Sequence, residues 1–255
     1  MNNFRDKQAD IKLIYKTVDG LNLPVFVYLP EGDIHKAKTV LLIHGGGWRD
    51  GIFNNSDWNG GVMAPNAQYL ASKGFISVVI SYRPVSKSNS LTVCDILSDC
   101  KDAIIFMRNT LTFIDFENII YMGDSAGGYL TTMLGLAEDD NIRPKTVVSL
   151  NPVLDCSREK WSYAFNGCKN IEDYCPINII GEKCSEFLFL HGTSDEIVEI
   201  EDTVAMDEEL RKRGHKSEMI KVADAKHAFL IYDFHYPDEY VNSMTDKIID
   251  YLSKN

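Results

Sequence analysis

Short runs of consecutive apolar residues punctuate this chain, separated by polar stretches in which hydrophobic positions return every three or four residues. The runs are "TVLLIHGGG", "ISVVISYR", "NIIYMGDS", "KTVVSLNPV", "EFLFLHGTSD" and "SEMIKV". They are unbroken rather than alternating, the pattern of strands covered on both faces. Ahead of them, "KLIYKTVDGLNLPVFVYLP" reads as two strands meeting at Asp19-Gly20, a dipeptide suited to a tight hairpin turn. Between the second and third runs, Val93, Ile96, Leu97, Cys100, Ile104 and Met107 form one apolar stripe of a helix. A second helix is predicted from about Glu199 to Arg213, stopped by Gly214. A last one begins near Pro237 and turns Val241, Met244, Ile248 and Leu252 inward. Strand and helix alternate throughout, which predicts an α/β fold with a mostly parallel sheet of about eight strands and helices on both faces. In such a fold the functional loops leave the carboxyl ends of the strands.

No repeat, low-complexity tract or linker interrupts the 255 residues, so the chain reads as a single domain, 1–255. Its composition, 45% hydrophobic and 25% charged, is that of an ordinary globular protein. A net charge of −11 removes the basic face that a nucleic acid or an anionic membrane surface would require, so neither is expected as a partner. The first residues carry charges where a secretory signal needs apolar ones, and no apolar run is long enough to span a bilayer, so a cytoplasmic location is expected. The six cysteines form no C-x-x-C pair and are expected to be free thiols in that compartment. No ligand cluster at usable spacing appears, so neither metal nor cofactor is expected.

Candidate chemistry centres on "IIYMGDSAGGYL". A G-x-S-x-G pattern arises often by chance, so its placement must decide. Here an apolar strand ends at Met122 and helix-compatible residues start at Ala126, the setting in which a sharp turn lifts the Ser125 hydroxyl above the sheet. A serine nucleophile needs a base and an acid on other strand ends. His227 lies in the loop after the last predicted strand, whereas His215 precedes that strand and His235 lies further on. Asp195, after "FLFLHGTS", is the candidate acid, with Asp155 as runner-up. "LLIHGGGWRDG" supplies unshielded backbone N–H groups, so Gly46 and Gly47 are expected to join Ala126 as donors to an oxyanion. His44 is expected to organise its loop and His191 to be buried or to fix a loop. Two long stretches, 49–66 and 154–176, leave the sheet at the same end. Their aromatic residues, Trp58, Trp161, Tyr163 or Phe165, together with Trp48, are candidates to line a substrate pocket, with plain packing as the alternative for each.

With "HGGGW", "SYRP", "GDSAGG", "CPINI", "HGTSDEIV" and "AKHAF" in place, the chain resembles the α/β-hydrolase superfamily over about residues 20–250. The similarity is to esterases of the hormone-sensitive-lipase-like and feruloyl/acetyl-xylan-esterase-like groups. The order Ser, Asp, His is that of the superfamily. The resemblance implies an α/β-hydrolase fold, with Ser125 as nucleophile, Asp195 and His227 as its partners, and Gly46, Gly47 and Ala126 as the oxyanion hole. "SYRPVSKSNS" stands where the lipase-like group has a fuller motif, and the N-terminus runs straight into strands, so no large cap domain is expected. The implied function is a serine carboxylesterase for small-molecule esters with short acyl groups, such as acetyl or feruloyl groups on carbohydrates. Amide or peptide hydrolysis, and a non-catalytic ligand-binding role, are the alternatives.

Overall fold

The computed structural model describes residues 4–50, 60–86 and 89–254. Among them, eight strands form one sheet: β1 (Ile11–Val18), β2 (Leu21–Tyr28), β3 (Thr39–Ile43), β4 (Ile76–Ile80), β5 (Ile120–Asp124), β6 (Thr146–Leu150), β7 (Glu186–Gly192) and β8 (Ser217–Val222). Their order across the sheet is β1-β2-β4-β3-β5-β6-β7-β8. The hairpin β1-β2 turns at Asp19 and Gly20, both at positive φ (52° and 75°), and β2 runs antiparallel to β4. All other pairings are parallel.

The register brings the carboxyl ends into line. Ile43 pairs with Ile80 on one side and Gly123 on the other, Asp124 with Leu150, Leu150 with Leu190, and Gly192 with Val222. The loops after β3, β5, β7 and β8 therefore open on the same edge.

The principal helices are α1 (Ala64–Ser72), α2 (Val93–Thr110), α3 (Ala126–Gly135), the single turn α4 (Ser162–Phe165), α5 (Ile200–Lys212) and α6 (Asp238–Lys254). Although the strands read as unbroken apolar runs, their alternation still assigns the faces. Leu41 and Ile43 pack with α2 and α3, while Val40 and Leu42 pack with α1 and α6. Phe187 and Phe189 meet Met206 and Leu210 of α5. The predicted stripe on α2 is buried, and a Thr92–Asp95 capping box closes its N-terminus. At the end of α5, Gly214 (φ 84°) donates to Arg211 and His215 N–H returns to Leu210, the left-handed stop expected at that glycine. No helix among the described residues is long and apolar enough to cross a membrane. All six cysteines are free thiols; Cys94 Sγ and Cys168 Sγ lie 3.4 Å apart.

The "SYRP" segment ties β4 to the rest of the fold. Asp99, fully buried on α2, accepts from Arg83 Nε (2.7 Å) and from Lys16 Nζ (2.7 Å). Tyr82 Oη donates to the His44 carbonyl at 2.9 Å, and its ring stacks on the imidazole of His44. The glycine loop after β3 is thus braced from below.

Candidate active site

Ser125 stands between β5 and α3 with φ 56° and ψ −117°, a conformation that costs energy for a residue with a side chain. The surrounding backbone enforces it. Ser125 N–H donates to Leu150 O at 2.8 Å, and Ser125 O accepts from Tyr129 N–H at 3.0 Å. A Cβ on Gly123 would lie 2.2 Å from Gly127 O, and one on Gly127 would lie 2.1 Å from Ile43 O. Only glycine permits this approach of α3 to β3 and β5.

Ser125 Oγ lies 2.9 Å from His227 Nε2, and His227 Nδ1 donates to Asp195 Oδ2 at 2.7 Å. With Nδ1 protonated, Nε2 is free to accept the hydrogen bond of the Ser125 hydroxyl. Asp195 Oδ1 accepts from the N–H groups of Ile197 and Val198, each at 2.9 Å, and His191 Nε2 stands 3.2 Å from Oδ2. His191 is wholly buried, with Nδ1 2.8 Å from Thr203 Oγ1, so it fixes the acid loop as expected. Asp155 instead accepts from Ser157 and pairs with Arg158, away from the imidazole.

The electrostatics polarise this chain. Burial drives the Asp195 carboxyl upward, but hydrogen bonds from His191 and His227 outweigh it and hold the group below the usual carboxylate range. For His227, burial favours the neutral ring. The bond to Asp195 and the charges of Asp124 and Asp195 win, leaving the imidazole more basic than an ordinary histidine. Asp124, the residue just before the serine, is fully buried, and desolvation pushes its carboxyl to about 6, against the opposing pull of His227 and the hydrogen bond from Asn151 Nδ2 at 2.9 Å. Asp124 and Asn151 are site residues that the sequence reading passed over. The signals were the variable position inside G-x-S and the asparagine closing "SLN", here held at φ 38°.

Gly46 and Gly47 follow β3 with φ of 94° and 57°. The Gly46 carbonyl turns back to accept from Arg49 and Asp50 N–H (3.1 and 2.9 Å). Among the described residues no acceptor reaches the N–H groups of Gly46, Gly47 or Ala126. A cavity of about 510 Å³ lies over Ser125 and His227, bounded by the glycine loop, Trp161, Ile231 and Phe234. Val62, Ile197 and Phe234, large apolar residues that stay exposed to solvent, all border it.

The expected aromatic lining is corrected in part. Trp48 is fully buried and stands edge-on to Tyr129, Trp161 and Phe165, with ring centroids 5.3, 5.9 and 5.6 Å away. Its positive φ of 60°, after two left-handed glycines, turns the indole into the core instead of the cavity. Trp161 does line the cavity, Phe165 is buried with its ring against Trp48 and Tyr129, and Tyr163 donates to Gly47 O at 2.5 Å. Trp58 lies outside the described residues. His44 is buried, with Nδ1 2.8 Å from Gly45 O and Nε2 3.2 Å from Ser81 Oγ. Desolvation lowers it to about 4, which suits a neutral loop organiser.

A sequence model of the BD-FAE family matches residues 25–158, more than half of the chain. The chain belongs to the BD-FAE family. Among curated proteins, ethyl acetate hydrolase of Pseudomonas putida is 30% identical over 149 residues, 55% of this chain and 44% of the relative. Dipeptidyl peptidase family member 2 of Caenorhabditis elegans is 27% identical over 145 residues, 54% of this chain and 17% of the relative. The matching stretch spans less than half the length of the curated relatives. Among solved structures, propionate-bound esterase 2 of Thermogutta terrifontis superposes with a TM-score of 0.77 at 22% identity, covering 96% of this chain and 94% of that one. The fold is that of the α/β hydrolases. The BD-FAE match takes in β3, β5 and the elbow, whereas Asp195 and His227 lie beyond it and are located by geometry alone.

Proposed function

We propose that this BD-FAE chain is a serine carboxylesterase acting on small or short-chain acyl esters, with acetyl and feruloyl esters of carbohydrates as candidate substrates. The observation that carries this reading is the relay Ser125 Oγ, His227 and Asp195, bonded at 2.9 and 2.7 Å on the floor of an open cavity. In the reaction, Ser125 Oγ attacks the ester carbonyl as its proton passes to His227 Nε2. Asp195, held anionic, orients the ring and supports the imidazolium. The N–H groups of Gly46, Gly47 and Ala126 are the donors for the oxyanion. One such donor is worth roughly 10²–10³ in turnover, which gives the glycine loop its purpose. Collapse expels the alcohol with the proton from His227, and a water activated by the same ring releases the acid.

Support for an ester comes from the ethyl acetate hydrolase relative and the propionate-bound structural neighbour. The apolar rim of Val62, Ile197 and Phe234 suits an apolar group of the substrate. The dipeptidyl peptidase relative keeps amide hydrolysis as a second reading for the same relay.

The test is p-nitrophenyl ester turnover with acetyl, butyryl, octanoyl and feruloyl groups, alongside formamide substrates. Ser125→Ala should abolish turnover of all of them while the circular dichroism spectrum is retained. Full activity in that folded variant would overturn the assignment of the nucleophile. Faster formamide than ester hydrolysis would favour the second reading.

A further inference from the structure

Arg49 lies two residues beyond the oxyanion glycines and stands apart from the other arginines. Every other arginine of the chain pairs with a carboxylate. Arg49 is exposed, and among the described residues no carboxylate lies within ion-pair distance of its guanidinium, even though Asp50 follows it. In a chain of net charge −11 a guanidinium that meets no carboxylate among the described residues calls for an explanation.

Its place supplies one. Arg49 borders the cavity over Ser125 and His227 and also a neighbouring cavity of about 800 Å³. Of the described residues lining that second cavity it alone is charged; Ser90, Thr92 and Asn166 give the rest of the wall its polarity. The guanidinium is held in position, stacked 4.5 Å over the Tyr163 ring, whose hydroxyl is anchored to Gly47 O. A planar fork of donors pre-set in this way matches a carboxylate.

The chemistry of the site sets which half of the substrate reaches it. The leaving oxygen must come within reach of His227 Nε2, so the alcohol half lies on the side of Ala228, Ile231 and Phe234, which follow the base. With the carbonyl oxygen turned to the glycine loop, the path left for the acyl half is the one along that loop to Arg49, which borders both this cavity and the polar one. We propose that Arg49 is a specificity-determining residue that binds a carboxylate at the far end of the acyl group, so that the preferred substrates are half-esters of dicarboxylic acids. This rests on the esterase reading above. Ser125 Oγ forms the acyl bond as the carbon–alkoxide bond breaks, the alkoxide leaves with the proton held on His227, and water then releases the free dicarboxylate.

The experiment compares kcat/KM, by released ethanol, for the monoethyl esters of succinate, glutarate and adipate with their neutral carboxamide counterparts. A matched alcohol-side pair, acetoxypropionate and acetoxypropionamide, is scored by released acetate. The expected result is about a tenfold preference for the anionic acyl series, equivalent to about 1.4 kcal/mol, with none in the alcohol-side pair. Arg49→Gln should bring the ratio to about one, Arg49→Lys should restore part of it, and added salt should shrink it. A ratio that survives Arg49→Gln, or a preference only in the alcohol-side pair, would overturn the assignment. Hydrolysis of the carboxamide esters with no anionic preference defeats this inference alone, whereas no turnover of any ester defeats the esterase reading beneath it.

Discussion

The carboxyl of Asp124 offers a quantitative test of how the site is built. It is fully buried beneath the glycine loop, and desolvation lifts it from 3.8 to about 6. The folded state therefore holds this proton more tightly than the unfolded chain does. The stability gained from holding it is complete below the unfolded value and is lost as pH rises through about 6. The full excursion of about two pKa units is worth about 3 kcal/mol, and roughly half of it, about 1.4 kcal/mol, falls between about pH 5 and pH 7.5. Asparagine has the same shape, keeps an oxygen for Asn151 Nδ2 and does not titrate. His227 titrates together with Asp124, so the comparison belongs in a His227→Gln background, where losing the imidazolium raises the carboxyl further and makes this figure a lower bound. Urea denaturation followed by circular dichroism should show the advantage of Asp124→Asn growing by at least about 1.4 kcal/mol from about pH 5 to pH 7.5. Any fixed cost of the amide cancels in that difference. An equal gap at both pH values would refute the claim that burial at this position destabilises the anion.

With His227 intact, kcat/KM for a short ester should rise with pH through an inflection above 6.5, because the ring must lose its proton to act as base and its carboxylate neighbours hold that proton. Asp124→Asn should shift this inflection toward acid, and a wild-type inflection at or below 6.5 would contradict the electrostatics. Asp195→Asn should reduce turnover by roughly 10³–10⁴, whereas Asp155→Asn should change it by less than about threefold, a surface-residue effect; the opposite outcome would reassign the acid. Gly127→Ala places a methyl 2.1 Å from Ile43 O and should lower stability by about 3 kcal/mol or more and remove activity. Gly20→Ala has nothing within 4 Å of its Cβ and should cost only about 1 kcal/mol of backbone strain. Calorimetric melting of the two variants separates them, and equal losses would show that the elbow tolerates a side chain.

The sheet was legible because each run between "TVLLI" and "SEMIKV" is too short for a helix and too apolar for a loop. The hairpin was legible because Asp-Gly states its own turn. The strand order was not: β4 sits between β2 and β3, a pairing of residues distant in sequence that no local pattern encodes. Ser125, His227 and Asp195 could be chosen because each follows a strand, and the register then brings those strand ends together. Trp48 misled for a physical reason. Beside a glycine loop a tryptophan reads as a pocket wall, but backbone handedness rather than residue type decides where a side chain points. Here the handedness sends the indole inward and leaves Arg49 at the cavity. The acidity of Asp124 was equally unreadable, since it arises from desolvation by segments remote in sequence.

The separation of the relay along the chain has a consequence during synthesis. Ser125 and His227 are 102 residues apart, on β5 and in the loop after β8. Synthesis proceeds from the N-terminus, whereas a domain generally folds as a unit, so the elbow and its glycine loop are made well before the imidazole they are to meet. A serine without its base is a feeble nucleophile. On the proposed relay, a chain that ends before His227 therefore carries the nucleophile without its base, and the constellation is complete only with β8 paired to β7 and the loop that follows it.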